Sequence, residues 1–248
     1  MPSFVFTGRV LPHIAGVTVE HMPEFSITGA ETIPDTAFKV ELREDELTVT
    51  ADAAAEPDGY EFLHFHAYDL ARTLCDFLAT TDGIARLPVL DEVLLPSGER
   101  KSTTLADGEL AARFTVHERF DADDILRLIV TDIGIARLMA DVTSMLTWPH
   151  YTPIAAGRVC ESIRLLTSGG RSDADWARMR ELLNVDRAYL QLLTDHSAPP
   201  RHGERRAVDP DTNRTLAARA WTLTDRFLVH RLEGSRALDP ERYPLLRG

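Results

Sequence analysis

The sequence predicts an α+β fold, with an antiparallel β-rich first domain that carries one packed helix, followed by an α-helical bundle. Three observations predict it. Short segments rich in β-branched and aromatic residues, several alternating with period two, occupy the first fifty positions. A single apolar stripe at helical spacing, Leu70, Leu74, Phe77 and Leu78, then interrupts them. From Phe120 onward the period is helical throughout, so the boundary is expected near 118–122, dividing the chain into a β-rich accessory domain, 1–119, and a helical domain, 120–248.

The expected strands are Phe4–Thr7, Val17–Val19, Phe25–Ile27, Phe38–Leu42 and Leu47–Val49, separated by turn material at Gly16, Pro23, Gly29, Pro34-Asp35 and the charged run 43–46. Their connections are too short for crossover helices, which makes the sheet antiparallel. After the helix, strand-like residues resume at Leu87–Leu90, Val93–Leu95 and Phe114–Val116, with the polar stretch 96–102 read as an exposed hairpin loop.

In the second half, Asp121 or Asp123 caps a long segment whose apolar positions run from Ile125 to Leu146, bent at Gly134 and stopped by Trp148-Pro149. Pro153 suits a first helical turn, and Gly169-Gly170 ends that helix. Ser172 caps a short helix bearing Trp176, Met179 and Leu183, and 185–193 form another. The stretch 196–210 reads as a loop. A last helix begins at Asp209-Pro210 or Thr212 and buries Leu216, Ala220, Leu223, Phe227 and Leu228.

At 248 residues with 44% apolar composition, the chain has material for a sizeable core. No segment approaches the roughly 20 apolar residues that cross a bilayer, because Arg127, Asp132 and Arg137 break the longest run. Met1-Pro2-Ser3-Phe4 does not read as a secretory signal. Cys75 and Cys160 each fall in a helical pattern without metal-site spacing, so a reduced, cytoplasmic protein is expected.

The net charge of -12 is unevenly distributed. Residues 1–120 carry 21 acidic and 9 basic side chains, whereas residues 196–248 carry 7 and 10. An acidic first half repels long nucleic acid, leaving a local basic patch near the C-terminus as the contact.

The stretch 195–206 concentrates that basic character. It places His196, Arg201, His202, Arg205 and Arg206 around Pro199-Pro200. A histidine changes charge near neutral pH and an arginine holds a phosphate, so together they supply the parts of metal-free phosphodiester cleavage. In that reading His202, Arg201 and His196 are catalytic and Arg205 and Arg206 bind substrate. No metal or cofactor is expected. His64 and His66 could share one face of a strand as a metal pair, but with only Asp69 nearby as a third ligand they read as ordinary edge or helix-entry histidines. The cluster Asp121, Asp123, Asp124 lacks a calcium-loop pattern and reads as an acidic first helical turn. Phosphate-loop, dinucleotide, serine-elbow and zinc-protease motifs are absent.

A helix ending near Asp195, then Arg201-His202-Gly203, a short charged loop and a long terminal helix, resembles the end of a HEPN domain. The resemblance covers roughly residues 121–234. It implies a helical module that dimerises and, in many members, cleaves RNA without metal using an arginine followed several positions later by a histidine. His202-Gly203 matches that pattern, while the upstream arginine position falls at His196 or Ser197. The resemblance therefore implies an RNA- or phosphate-ligand-binding protein acting as a homodimer, an endoribonuclease if active. The rival expectation is a noncatalytic interaction protein, with a protein partner on the β-rich domain.

Overall fold

The computed structural model describes residues 1–248 apart from 13–17, 20–23, 30–32, 58, 104–109, 111, 148–150 and 204–207. The chain divides into two compact units, Met1–Ala106 and Asp107–Gly248, so the residues just ahead of the expected 118–122 boundary pack with the helical unit.

In the first unit, β1 (Ser3–Leu11), β2 (Thr18–Val19), β3 (Phe25–Ile27), β4 (Thr36–Arg43), β5 (Glu46–Ala53), β6 (Leu87–Leu94) and β7 (Arg100–Ser102) form one sheet. Its order is β2-β4-β5-β1-β6-β7, with β3 also pairing β4, and every described pairing is antiparallel. Alternation decides which face is buried. In β4, Ala37, Lys39, Glu41 and Arg43 alternate with buried Thr36, Phe38, Val40 and Leu42. The helix α1 (Glu61–Asp82) lays Leu63, Ala67, Ala71, Leu74 and Cys75 against that face. Gly8 sits where the β1–β6 register shifts, and a Cβ there would collide with the Val89 backbone.

In the helical unit Val116–Glu118 forms a 3-10 turn, where the sequence suggested a strand at Phe114–Val116. Asp225 explains the difference: its Oδ1 accepts from Val116 N and its Oδ2 from the Thr115 hydroxyl, both at 2.8 Å, binding this segment as a turn rather than a ladder. Among the described residues six helices follow: α2 (Ala122–Thr131), α3 (Ile133–Thr147), α4 (Thr152–Ser168), α5 (Asp173–Leu183), α6 (Arg187–Arg201) and α7 (Pro210–Leu232).

The single long helix expected over 125–146 is thus two. Asp132 divides them, because its backbone is extended (φ -120, ψ 103) and its carboxylate accepts from Gly134 N at 2.9 Å, capping α3 instead of continuing α2. Other caps follow the sequence: Ser172 and Asp175 form a capping box on α5, and Asp209 accepts from Thr212 N ahead of Pro210. The core centres on α4 and α7, with Ile163, Met179, Leu183, Leu216, Leu223 and Phe227 fully or almost fully enclosed. Trp148-Pro149 lies outside the described residues.

Buried polar groups are mostly paired, as burial demands. Arg226 donates to the carbonyls of Leu183 (3.1 Å), Asn184 (2.8 Å) and Pro244 (2.6 Å). His230 Nδ1 lies 2.6 Å from Arg236 O.

Candidate functional site

Of the stretch expected to be a loop, residues 196–201 are helical. Asp186 caps α6 by accepting from Tyr189 N at 2.6 Å, and the helix continues through Pro199 and Pro200 to Arg201. Proline's fixed φ is compatible with a helix, and the two prolines supply no N–H to the turn before them; beyond them the chain closes in a tight turn, where His202 N donates to Ala198 O and Pro199 O, and Gly203 N to Pro200 O.

This continuation separates the expected catalytic residues. His196 and Arg201 are five positions apart on α6, about 140° around its axis, and His202 is exposed at the helix C-cap. Arg201 is engaged by Glu161 through a 2.7 Å bond from its Nη1. Arg205 and Arg206 lie outside the described residues.

His64 and His66 are not on a strand but in the first turns of α1. His64 packs on Phe6 and His66 on Phe38 and Phe65, and burial lowers both imidazoles below their usual value. Among the described residues no group of three His, Cys, Asp or Glu is placed to hold a metal. Burial pushes the thiols up, Cys75 to about 11 and Cys160 to about 12, so neither is poised as a nucleophile.

A different constellation does converge. One face of α7 carries Arg214, Ala218 and Thr222 at i, i+4 and i+8, flanked by Thr215 and Arg219. With Arg113, Tyr189 and Leu246 they line a cavity of about 370 Å³. Three of the described lining residues are arginines and none is a carboxylate. Arg219 is held in place: its guanidinium stacks on the Tyr189 ring at 4.8 Å and donates to Tyr189 O at 3.3 Å. The Tyr189 hydroxyl donates back to Arg219 O at 3.0 Å, and burial pushes it up to about 12 although Arg219, Arg226 and Arg113 pull the other way. Among the described residues Arg113, Arg214 and Arg219 form no ion pair with a carboxylate. The chemistry available is anion recognition by three guanidinium groups, of which Arg219 is held in place.

Sequence reasoning missed this pocket because its walls come from positions 113, 189, 214–222 and 246. The last helix carries Arg214 and Arg219, but their spacing of five residues, about 140° around the axis, gave no local sign that they share a pocket.

A two-layer sheet-and-helix unit joined to a helical unit with an arginine-lined cavity is the class these observations define. Residues 4–103 match the DUF8168 N-terminal domain and residues 123–232 the DUF8168 C-terminal domain, both described as domains of unknown function. With both matched in order along its length, the chain belongs to the DUF8168 family. No curated protein and no solved structure matches it.

Proposed function

We propose that this protein binds a phosphate-bearing ligand, with RNA as its polymeric form, through Arg113, Arg214 and Arg219 of the helical unit. The supporting observation is a cavity whose described lining holds three arginines and no carboxylate, in a chain of net charge -12. Its preset Arg219 reduces the ordering cost of binding. The HEPN-like order of the helices fits the same reading. The catalytic half of that resemblance has less support, since Arg201 is engaged by Glu161 and His202 lies apart from His196. We therefore propose binding without cleavage. The buried, unpaired thiols of Cys75 and Cys160 support a cytoplasmic setting.

The test is equilibrium binding of labelled single-stranded RNA and of ATP to the wild type and to Arg214→Ala/Arg219→Ala. The double variant should bind about tenfold or more weakly per arginine removed. Its log-log salt slope on RNA should flatten by about 0.7 per lost contact. Wild-type affinity and slope in the variant would overturn the proposal. RNA incubated in EDTA should stay intact. Cleavage that His202→Ala abolishes would instead establish a metal-independent ribonuclease, acting as a dimer if the second copy completes the site.

A second reading, a noncatalytic protein that self-associates, draws on the apolar Leu126, Val130 and Ile133, which are 58%, 67% and 69% exposed on α2 and at the start of α3. Light scattering that shows a monomer at all concentrations would remove it.

A further inference from the structure

A second cavity, sharing no lining residue with the arginine pocket, opens between α4, α5 and α6 and measures about 730 Å³, within the usual range of small-molecule sites. Its distinctive member is Arg164. This side chain is only 8% exposed, and a guanidinium taken out of water requires either a paired anion or a full set of acceptors. It has neither. Its Cζ lies over the Trp176 ring, 4.6 Å from the ring centroid, its Nε meets no acceptor, and no carboxylate is hydrogen-bonded to it among the described residues. Asp175 is close enough to feel its charge, but the carboxyl of Asp175 is held below its usual range first by Ser172, whose backbone N–H and hydroxyl occupy it.

The stack fixes the kind of group that would complete Arg164. With the indole covering one side, the N–H groups of the guanidinium are left for a carboxylate or a phosphate, the anions its fork of donors fits. The rest of the lining indicates what accompanies the anion. Asp173 and Asp195 line the same cavity as exposed carboxylates without an ion pair among the described residues, suited to accept from a ligand's ammonium, amide or hydroxyl groups. The neighbouring Arg201 is already neutralised by Glu161 at 2.7 Å, so Arg164 remains the buried positive charge without a hydrogen-bonded anion here.

We propose that this cleft is a second binding site, for a small organic oxyanion that also carries hydrogen-bond donors, with the anion on Arg164 and the donors on Asp173 and Asp195. Amino acids and nucleoside monophosphates share that chemistry, one through a carboxylate and the other through a phosphate.

The experiment titrates the full chain with glutamate, glutamine and AMP, and with inorganic phosphate as the donor-free control. Binding is followed by calorimetry and by the fluorescence of Trp176, assigned by its loss in Trp176→Phe. At least one of the organic probes should saturate in the micromolar to low-millimolar range and bind at least tenfold more tightly than inorganic phosphate. A carboxylate winner and a phosphate winner separate the two sources. Arg164→Lys, which keeps the charge and loses the fork, should weaken binding tenfold or more. Arg164→Met should abolish binding while leaving the thermal midpoint of the unliganded protein unchanged or raised, since it removes an uncompensated buried charge. A residue with only a structural role would instead lower that midpoint. The proposal fails if no organic probe saturates the wild type, if inorganic phosphate binds as tightly as the best of them, or if both Arg164 variants bind like the wild type.

Discussion

Gly157 on α4 lies directly against Ser197 on α6, and a methyl group at position 157 would stand closer than 3.0 Å to both the Cβ and the Oγ of Ser197. Carbon atoms settle at about 3.5–4.0 Å, so Gly157→Ala must push the two helices apart by at least about 0.5 Å. Overpacking of this kind costs about 1–3 kcal/mol, and the better helix propensity of alanine offsets about 1 kcal/mol. The net loss is then at most about 2 kcal/mol, a figure too small to identify its cause by itself. A double-mutant cycle isolates it. Ser197→Gly costs about 0.5 kcal/mol in propensity and removes the hydroxyl bond to Thr194 O (2.9 Å), but it also vacates the space that the added methyl needs. In Gly157→Ala/Ser197→Gly the side-chain carbon moves from one helix to the other, and the two changes should couple favourably by about 1–3 kcal/mol. Urea denaturation of the four proteins measures the coupling. Additivity within about 0.5 kcal/mol, the behaviour of independent sites, would refute the close approach of α4 and α6. Because Ser197 also lines the α4–α6 cleft, the single variant should disturb that cavity as well.

Asp225 is buried and raised above the usual carboxylate value by desolvation, against the lowering effect of its bonds to Thr115 and Val116. Asp225→Ala leaves Val116 N–H without an acceptor and should cost about 1–3 kcal/mol, whereas Asp225→Asn keeps an acceptor for Val116, removes the buried charge and should lose less, as thermal or urea unfolding would show. Burial lowers His230 from 6.5, so below pH 6.5 the unfolded chain takes up the proton first; the stability His230 provides is complete above that pH and falls as pH drops toward its folded value, by at most about 1.4 kcal/mol per pH unit. Unfolding followed between pH 7.5 and 5.5 should show a shallower decline in His230→Gln than in the wild type, and equal slopes would contradict the assignment.

Local chemistry explains which parts of the fold could be read from the sequence. Alternation in Thr36–Arg43, the capping box at Ser172 and Asp175, and the Asp209-Pro210 start are decided within a few residues, and they appear as expected. Three readings failed where local and longer-range preferences compete. Pro199-Pro200 removes two helical donors and so reads as a break, yet α6 runs through both to Arg201. Asp132 fits either the middle of one helix or the cap of the next, and its bond to Gly134 N, supported by Arg231 at 3.2 Å, favours the cap. Phe114–Val116 has strand composition, yet Asp225, more than a hundred residues later, takes its donors. The cavities were harder still. Arg164 looks like any other helical arginine until Trp176 is brought beneath it, and Arg113 is an ordinary polar residue until it shares a pocket with Arg214 and Arg219.

The segment holding Leu246 gives the arginine pocket an unusual wall. Leu246 is fastened by main-chain bonds, its N–H to Asn184 O at 3.1 Å and its carbonyl to Asp186 N at 2.9 Å, with Arg226 gripping Pro244 O nearby. A wall held by a few main-chain bonds can open locally while the Leu223 and Phe227 core stays closed. The amide of Leu246 should then exchange with solvent ahead of the core amides, and a ligand that closes the pocket should slow that exchange alone.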